Sequence, residues 1–205
     1  KIQTPTLDWR MMDKGILHIQ LYGFNNNSER LFYNAVSDGM NRGMKGVILD
    51  LRNDPGGFFD VAVNLAGWFL KRDEVIVKQK SADGQIQLFR ARGNELLQDT
   101  PVVILINGGS ASASEILAGA LKVNRGIKLV GEKSFGKGTV QDIESLSDGS
   151  TLKITIAHWL LPDGKLIDKN GLKPDYEIKL TEEDIKADRD PQLDKAVEVI
   201  TPLLK

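Results

Sequence analysis

A mixed α/β fold, with βαβ units around a mainly parallel sheet and extra antiparallel strands, is predicted by three features of the sequence. A buried-strand pattern at 47–51 and a continuous apolar run at 102–106 each lead through a loop of small and turn-forming residues into a segment with helical spacing. Strands that alternate with helices at this pitch imply parallel pairing under a cover of helices. The third feature is a pair of hairpin signals, Asp83-Gly84 and Asp148-Gly149, each set between two extended runs.

Along the chain, residues 16–21 read as a strand. Ser28 can cap a helix whose apolar residues Leu31, Phe32, Ala35, Val36 and Met40 fall near helical spacing, with Gly43 and Gly46 as stop signals. The strand at 47–51 runs into Arg52-Asn53-Asp54-Pro55-Gly56-Gly57, and 58–70 returns to a helical pattern through Val61, Leu65, Trp68 and Phe69. Extended runs at 74–80 and 85–91 make the first hairpin. The strand at 102–106, the small polar turn at 107–111, a helix over 112–121 and a strand at 127–130 repeat the earlier order. In the second hairpin, within 139–159, Leu152, Ile154, Ile156 and His158 share one face by period-two alternation. An amphipathic helix through Leu193, Ala196, Val197 and Ile200 occupies 191–204.

With 205 residues, 41% of them apolar and 27% charged, the chain can bury a full core, and 1–205 reads as one domain. Its 27 basic and 28 acidic residues give a net charge of -1 without a long run of either sign, which argues against a nucleic-acid partner. There is no apolar stretch long enough to span a bilayer and no signal-peptide pattern. The absence of cysteine removes disulfides, thiol nucleophiles and thiolate metal sites, and it fits a reducing or an oxidising compartment equally. Because it opens on Lys1 rather than Met, the chain is expected to be a fragment of a longer protein.

Ser112 lies where a buried strand gives way to a helix, so free N–H groups of the helix start face anything bound beside it, which suits an oxyanion. The plain alternative is that Ser110, Ser112 and Ser114 only cap a small-residue turn. A nucleophilic serine needs a base. The two histidines, His18 and His158, both sit in strand-like runs, whereas Lys137 lies between Gly136 and Gly138 in 134–141. Keeping a lysine neutral near pH 7 calls for roughly 4 kcal/mol of bias against its charged form, which burial in an apolar, acid-free pocket provides. Phe135, Val140 and the strand 127–130 are the expected walls, with the Gln141 amide oxygen aiming the amine. The plain alternative is a solvated loop lysine.

In an extended segment Lys137, Thr139 and Gln141 share a face but span about 13 Å, so the side chains must lean together or Gly138 must bend the chain. Two other motifs overlap this stretch. Gly131-x-x-x-x-Gly136-Lys137 nearly completes a phosphate-binding loop, but Gly138 replaces the hydroxyl residue that holds magnesium and β-branched residues come next. Ser134-x-x-Lys137 matches the Ser-x-x-Lys of penicillin-binding enzymes, without a helix-forming context or either companion motif.

The run 109–116, Gly-Ser-Ala-Ser-Ala-Ser-Glu-Ile, together with Phe135-Gly136-Lys137-Gly138-Thr139-Val140-Gln141, resembles the C-terminal processing, or tail-specific, peptidases. The resemblance implies a crotonase-like core of βαβ units and a Ser-Lys dyad: Ser112 as nucleophile, Lys137 as base and Gln141 orienting the lysine. It extends to 50–57, whose glycine N–H, by position Gly57, would join that of Ala113 in an oxyanion hole, and on through Pro162-Asp163-Gly164 and 171–175. Where the family commonly carries Tyr-x-Thr-Pro, this chain has Trp159-Leu160-Leu161-Pro162.

The function implied by this resemblance is that of a serine endopeptidase that needs no cofactor or metal and cuts proteins near their C-termini, binding protein or peptide substrates as extended C-terminal segments. The same resemblance implies a PDZ domain and helical segments upstream in the full-length protein. It also implies an extracytoplasmic setting such as a periplasm, cell envelope, secreted fraction or thylakoid lumen, and it leaves a homo-oligomer open. A non-cleaving peptide-binding or scaffold module with the same fold is the alternative.

Overall fold

The computed structural model describes residues 5–204. In chain order its elements are β1 (Leu7–Met12), β2 (Ile16–Leu21), α1 (Ser28–Asn41), β3 (Gly46–Asp50), α2 (Phe59–Ala66), β4 (Val75–Ser81), β5 (Ile86–Arg90) and β6 (Val102–Ile106). After these come α3 (Ala113–Arg125), β7 (Lys128–Gly131), β8 (Thr139–Ser145), β9 (Thr151–Leu160), β10 (Tyr176–Glu177), α4 (Glu182–Lys186) and α5 (Pro191–Ile200).

Continuous apolar runs make central strands because both faces of the sheet are covered. The main sheet has the order β1-β2-β3-β6-β7-β10, antiparallel between β1 and β2 and parallel elsewhere. On one face Leu17, Ile19, Val47, Leu49, Ile104 and Ile106 pack under the apolar stripes of α1, α2 and α3. On the other, Ile48, Val103, Leu105 and Val130 meet Leu193, Ala196 and Ile200 of α5. Each crossover from β2 through β3 and β6 to β7 steps the same way across the sheet, which places α1 to α3 together on one side.

A second, antiparallel sheet runs β5-β4-β9-β8 and contains both expected hairpins. It is tied to the start of α2 by Phe59, whose ring stacks on Trp159 at 4.8 Å and meets Phe89 edge-on at 4.7 Å. The mixed class, the mainly parallel sheet and the antiparallel additions all agree with the sequence reading.

Three local expectations need correction. The helix expected over 58–70 stops at Ala66, where the bonding tightens to Trp68 N–H on the Leu65 carbonyl and Phe69 N–H on the Ala66 carbonyl, and the Gly67 and Trp68 carbonyls accept the Glu95 and Leu97 N–H groups instead of continuing the helix. The shared face proposed for Leu152, Ile154, Ile156 and His158 is interrupted. Pairing steps from Val140↔Ala157 to Gln141↔Thr155, so Ile156 is the extra residue of a bulge; His158 pairs with Thr139 while Ile154 pairs with Asp142. Finally, the helix expected over 191–204 ends at Ile200 and gives way to a 3-10 turn over Thr201–Leu203, where Pro202 has no N–H to continue it; β1, β10 and α4 have no counterpart in the sequence reading.

The α5 layer is pinned by a buried ionic cluster. The Arg52 guanidinium donates to both Asp50 oxygens at 2.9 and 2.6 Å, to both Asp190 oxygens at 2.9 and 2.8 Å, and to Gln192 Oε1 at 3.0 Å. Asp190 also caps α5 by accepting the Leu193 N–H, and His18 Nε2 lies 3.3 Å from Asp50 Oδ2. Burial pushes the Asp50 carboxyl up, but the bonds from His18 and Arg52 outweigh it and hold it below the usual carboxylate range. Arg52→Ala, which strands that buried charge, is expected to lower unfolding free energy by about 3–5 kcal/mol, read from the midpoint of urea unfolding at constant slope.

Candidate active site

The turn between β6 and α3 holds Ser112 at φ 56° and ψ −113°, a backbone state that costs an L-residue on the order of 1–3 kcal/mol. The neighbouring serines supply the restraint. Ser110 Oγ donates to the Leu51 carbonyl at 2.7 Å, and Ser114 Oγ donates to the Asp54 carbonyl at 3.0 Å. The Ala111 N–H also ends on the Asp54 carbonyl. Of the three serines in the motif, two are therefore buried braces, and Ser112 is the half-buried one in the strained position.

The 52–57 loop closes against that turn. A Cβ on Gly56 would stand 2.7 Å from the Ala111 oxygen and 2.9 Å from both Ala113 N and Ser112 Cβ, so only glycine permits this approach. Phe24 fixes the loop from behind: its N–H donates to the Gly56 carbonyl at 2.9 Å and its carbonyl accepts the Phe58 N–H at 2.7 Å. Among the described residues, neither the Gly57 N–H nor the Ala113 N–H has an acceptor. Two unpaired donors beside a strained serine are the parts of an oxyanion-binding site.

Glu115, fully buried, joins this turn to the lysine loop. Its Oε2 accepts the Ser112 N–H at 3.0 Å and the Lys137 N–H at 2.9 Å. Its Oε1 accepts the Ser134 hydroxyl at 2.6 Å and the Gly136 N–H at 2.7 Å. Ser134 Oγ in turn accepts the Leu172 N–H at 2.6 Å. Reasoning from sequence gave Glu115 no role, although Ser112-x-x-Glu115 has the spacing of a helix capping box and could have flagged it.

The structure brings the main chains of Ser112 and Lys137 together but does not enclose the lysine side chain. Lys137 is exposed, Phe135 is 65% exposed and forms no wall, and Gln141 is exposed on β8. The expected apolar, acid-free pocket is thus not formed here, for two reasons. Gly136 and Gly138 pack their backbones against 168–171, which leaves the intervening side chain pointing away from that support. The site also contains a carboxylate, Glu115, which clamps Lys137's own N–H. Since β8 begins only at Thr139, Lys137 lies before the strand that carries Gln141.

The rival motifs resolve physically. No helix comes directly after 131–137, so the phosphate-loop geometry is missing, and Ser134 is spent on Glu115 and Leu172 rather than paired with Lys137 on a helical turn. His18 is committed to Asp50 behind the sheet, and His158 Nδ1 faces Asp168 Oδ2 at 3.7 Å. Among the described residues no group of acidic or histidine side chains is arranged to hold a metal ion.

A strained serine at a helix start, two main-chain N–H groups without an acceptor among the described residues and a lysine loop held on the same carboxylate form a layout suited to a serine hydrolase. The chain belongs to peptidase family S41, whose sequence model matches residues 15–178. It is similar to the carboxy-terminal processing protease CtpA of Bacillus subtilis, 37% identical over 179 residues, covering 87% of this chain and 38% of that protein. The chloroplastic C-terminal processing peptidase of Tetradesmus obliquus is 38% identical over 161 residues, covering 78% and 34%. Among solved structures, a photosystem II D1 C-terminal processing protease superimposes with a TM-score of 0.80 at 32% identity, covering 87% of this chain and 50% of its own. The chain spans less than two fifths of the length of these curated relatives.

Glu115→Ala should leave the N–H groups of Ser112, Gly136 and Lys137 without their acceptor, at about 1–3 kcal/mol each where burial persists. The expected result is a lower melting temperature together with faster amide exchange at Gly136 and Lys137 than elsewhere in the fold, monitored by hydrogen-exchange mass spectrometry.

Proposed function

We propose that this chain is the catalytic core of a serine endopeptidase that cleaves proteins near their C-termini through a Ser112–Lys137 dyad. The observation that carries this reading is the shared carboxylate oxygen: Glu115 Oε2 accepts the N–H of Ser112 and of Lys137, so nucleophile and base arise from main-chain atoms held on one point. The Ser112 Oγ–H passes its proton to the Lys137 amine as Oγ bonds to the scissile carbonyl carbon. The carbonyl oxygen, now anionic, is taken by the N–H groups of Gly57 and Ala113. Collapse expels the leaving amine, which receives the proton back from Lys137. Water then attacks the acyl-enzyme by the same route and regenerates Ser112.

Because Lys137 is exposed in this structure, its enclosure accompanies substrate binding, when the peptide displaces water from the amine and Gln141 on β8 accepts its hydrogen bond. A substrate bound as an extended strand gains main-chain pairing that tolerates many sequences. In the full-length protein we expect a PDZ domain upstream to capture the substrate tail, and an extracytoplasmic location. Both rest on the resemblance to C-terminal processing peptidases. Among the described residues no helix is long and apolar enough to cross a membrane.

In the full-length protein, Ser112→Ala and Lys137→Ala should each lower kcat for an unstructured protein substrate by about 10³-fold or more, with little change in melting temperature. Mass spectrometry of the products should place the cuts near the substrate C-terminus. Equal cleavage by wild type and both variants would rule out the dyad.

A further inference from the structure

Asp54 occupies the seam between the two halves of the oxyanion-binding site. Its main-chain carbonyl holds the nucleophile turn through Ala111 N–H at 3.0 Å and Ser114 Oγ at 3.0 Å. Its side-chain Oδ1 holds the other half, accepting the Gly56 N–H at 2.8 Å. The remaining oxygen, Oδ2, is buried with no hydrogen-bond partner, and the residue as a whole has no exposed surface. A lone carboxylate oxygen sealed from water is expensive as an anion and far less so as a neutral acid.

Among the described residues, no cation bonds this carboxyl. Arg52, two residues earlier, spends its guanidinium on Asp50, Asp190 and Gln192. From α3, Glu115 is bound to Ser112 and the lysine loop, and Ser114 offers only its hydroxyl. From the 107–111 turn and Leu51, Asp54 meets main-chain groups alone. Burial, against the Gly56 bond, pushes the acid up to about 7.

We propose that Asp54 is a positioning residue of the oxyanion hole that must be protonated for catalysis: as a neutral acid it braces Gly56 against the Ser112 turn, and as an anion it opposes the negative charge that develops beside Gly57 and Ala113. The inference rests on the peptidase reading given above. A buried negative charge next to the donors weakens their hold on the oxyanion in proportion to its proximity and to the local exclusion of water.

The test compares the full-length wild type with Asp54→Asn and Asp54→Ala across about pH 5 to about pH 9. Asparagine keeps the Oδ1 acceptor and is neutral at every pH; alanine removes the brace. Alanine should lower kcat by about 10- to 100-fold with little change in KM, and asparagine should restore most of it near neutrality. Above about pH 7 the ratio of asparagine to wild-type kcat/KM should climb by up to about tenfold per pH unit, because every other titrating group is common to both proteins.

Thermal melting gives a readout independent of cleavage. The folded acid holds its proton up to about pH 7 whereas the unfolded one releases it near about pH 3.9, so wild-type stability from this group is full below the lower value and lost as pH rises toward the upper one. The melting temperature of Asp54→Asn should therefore gain on wild type between these limits and hold a constant lead above them. A flat activity ratio, or a melting difference that does not change with pH, overturns this inference alone when the wild type cleaves. A wild type that does not cleave overturns it together with the peptidase reading.

Discussion

The Glu115 carboxylate, buried at the first turn of α3, is the point on which the site depends. Four donors converge on it, from the nucleophile turn, from Ser134, and from Gly136 and Lys137. A buried anion is tolerated only when its lone pairs are met, and meeting them brings together two segments more than twenty residues apart in the chain. The same bonds hold a serine in a backbone state it would not adopt alone, with the restraint spread over Ser110 and Ser114 on the side facing Leu51 and Asp54.

The main sheet explains why these loops meet where they do. β3 and β6 are adjacent and parallel, so the chain leaves both at the same edge, and the loop after one touches the turn after the other. The Arg52 cluster fixes the first of these loops at its root and locks α5 to the opposite face. The antiparallel sheet adds the remaining component: β8 carries Gln141 away from the lysine loop, and the Phe59–Trp159 stack links β9 to the helix after the 52–57 loop.

Three acids in this region show how environment decides what a carboxyl does. Asp50 is buried but paired with Arg52 and His18, and it is held below its usual range. Glu115 is buried and saturated with donors. Asp54 is equally buried but has one donor for two side-chain oxygens, and it is raised toward neutrality. The first secures the scaffold, the second ties the Ser112 turn to the Lys137 loop, and the third braces Gly56 against the Ser112 turn.

The sequence by itself determined the alternation of strands and helices, since the strand pattern at 47–51, the continuous apolar run at 102–106 and the Asp-Gly turns are local signals that tertiary packing did not override. It also supplied the candidates Ser112, Lys137 and Gln141, and its resemblance to C-terminal processing peptidases added Gly57 and Ala113, because those residues stand in contiguous motifs. Only the tertiary structure decided which serines brace and which is strained, since that depends on the Leu51 and Asp54 carbonyls more than fifty residues away. It likewise stopped α2 where Glu95 and Leu97 take the next carbonyls, broke the β9 alternation with a bulge, and left Lys137 at the surface by seating its flanking glycines on 168–171. Burial and hydrogen-bond saturation are sums over groups from distant parts of the chain, and a local pattern of residue types does not contain them.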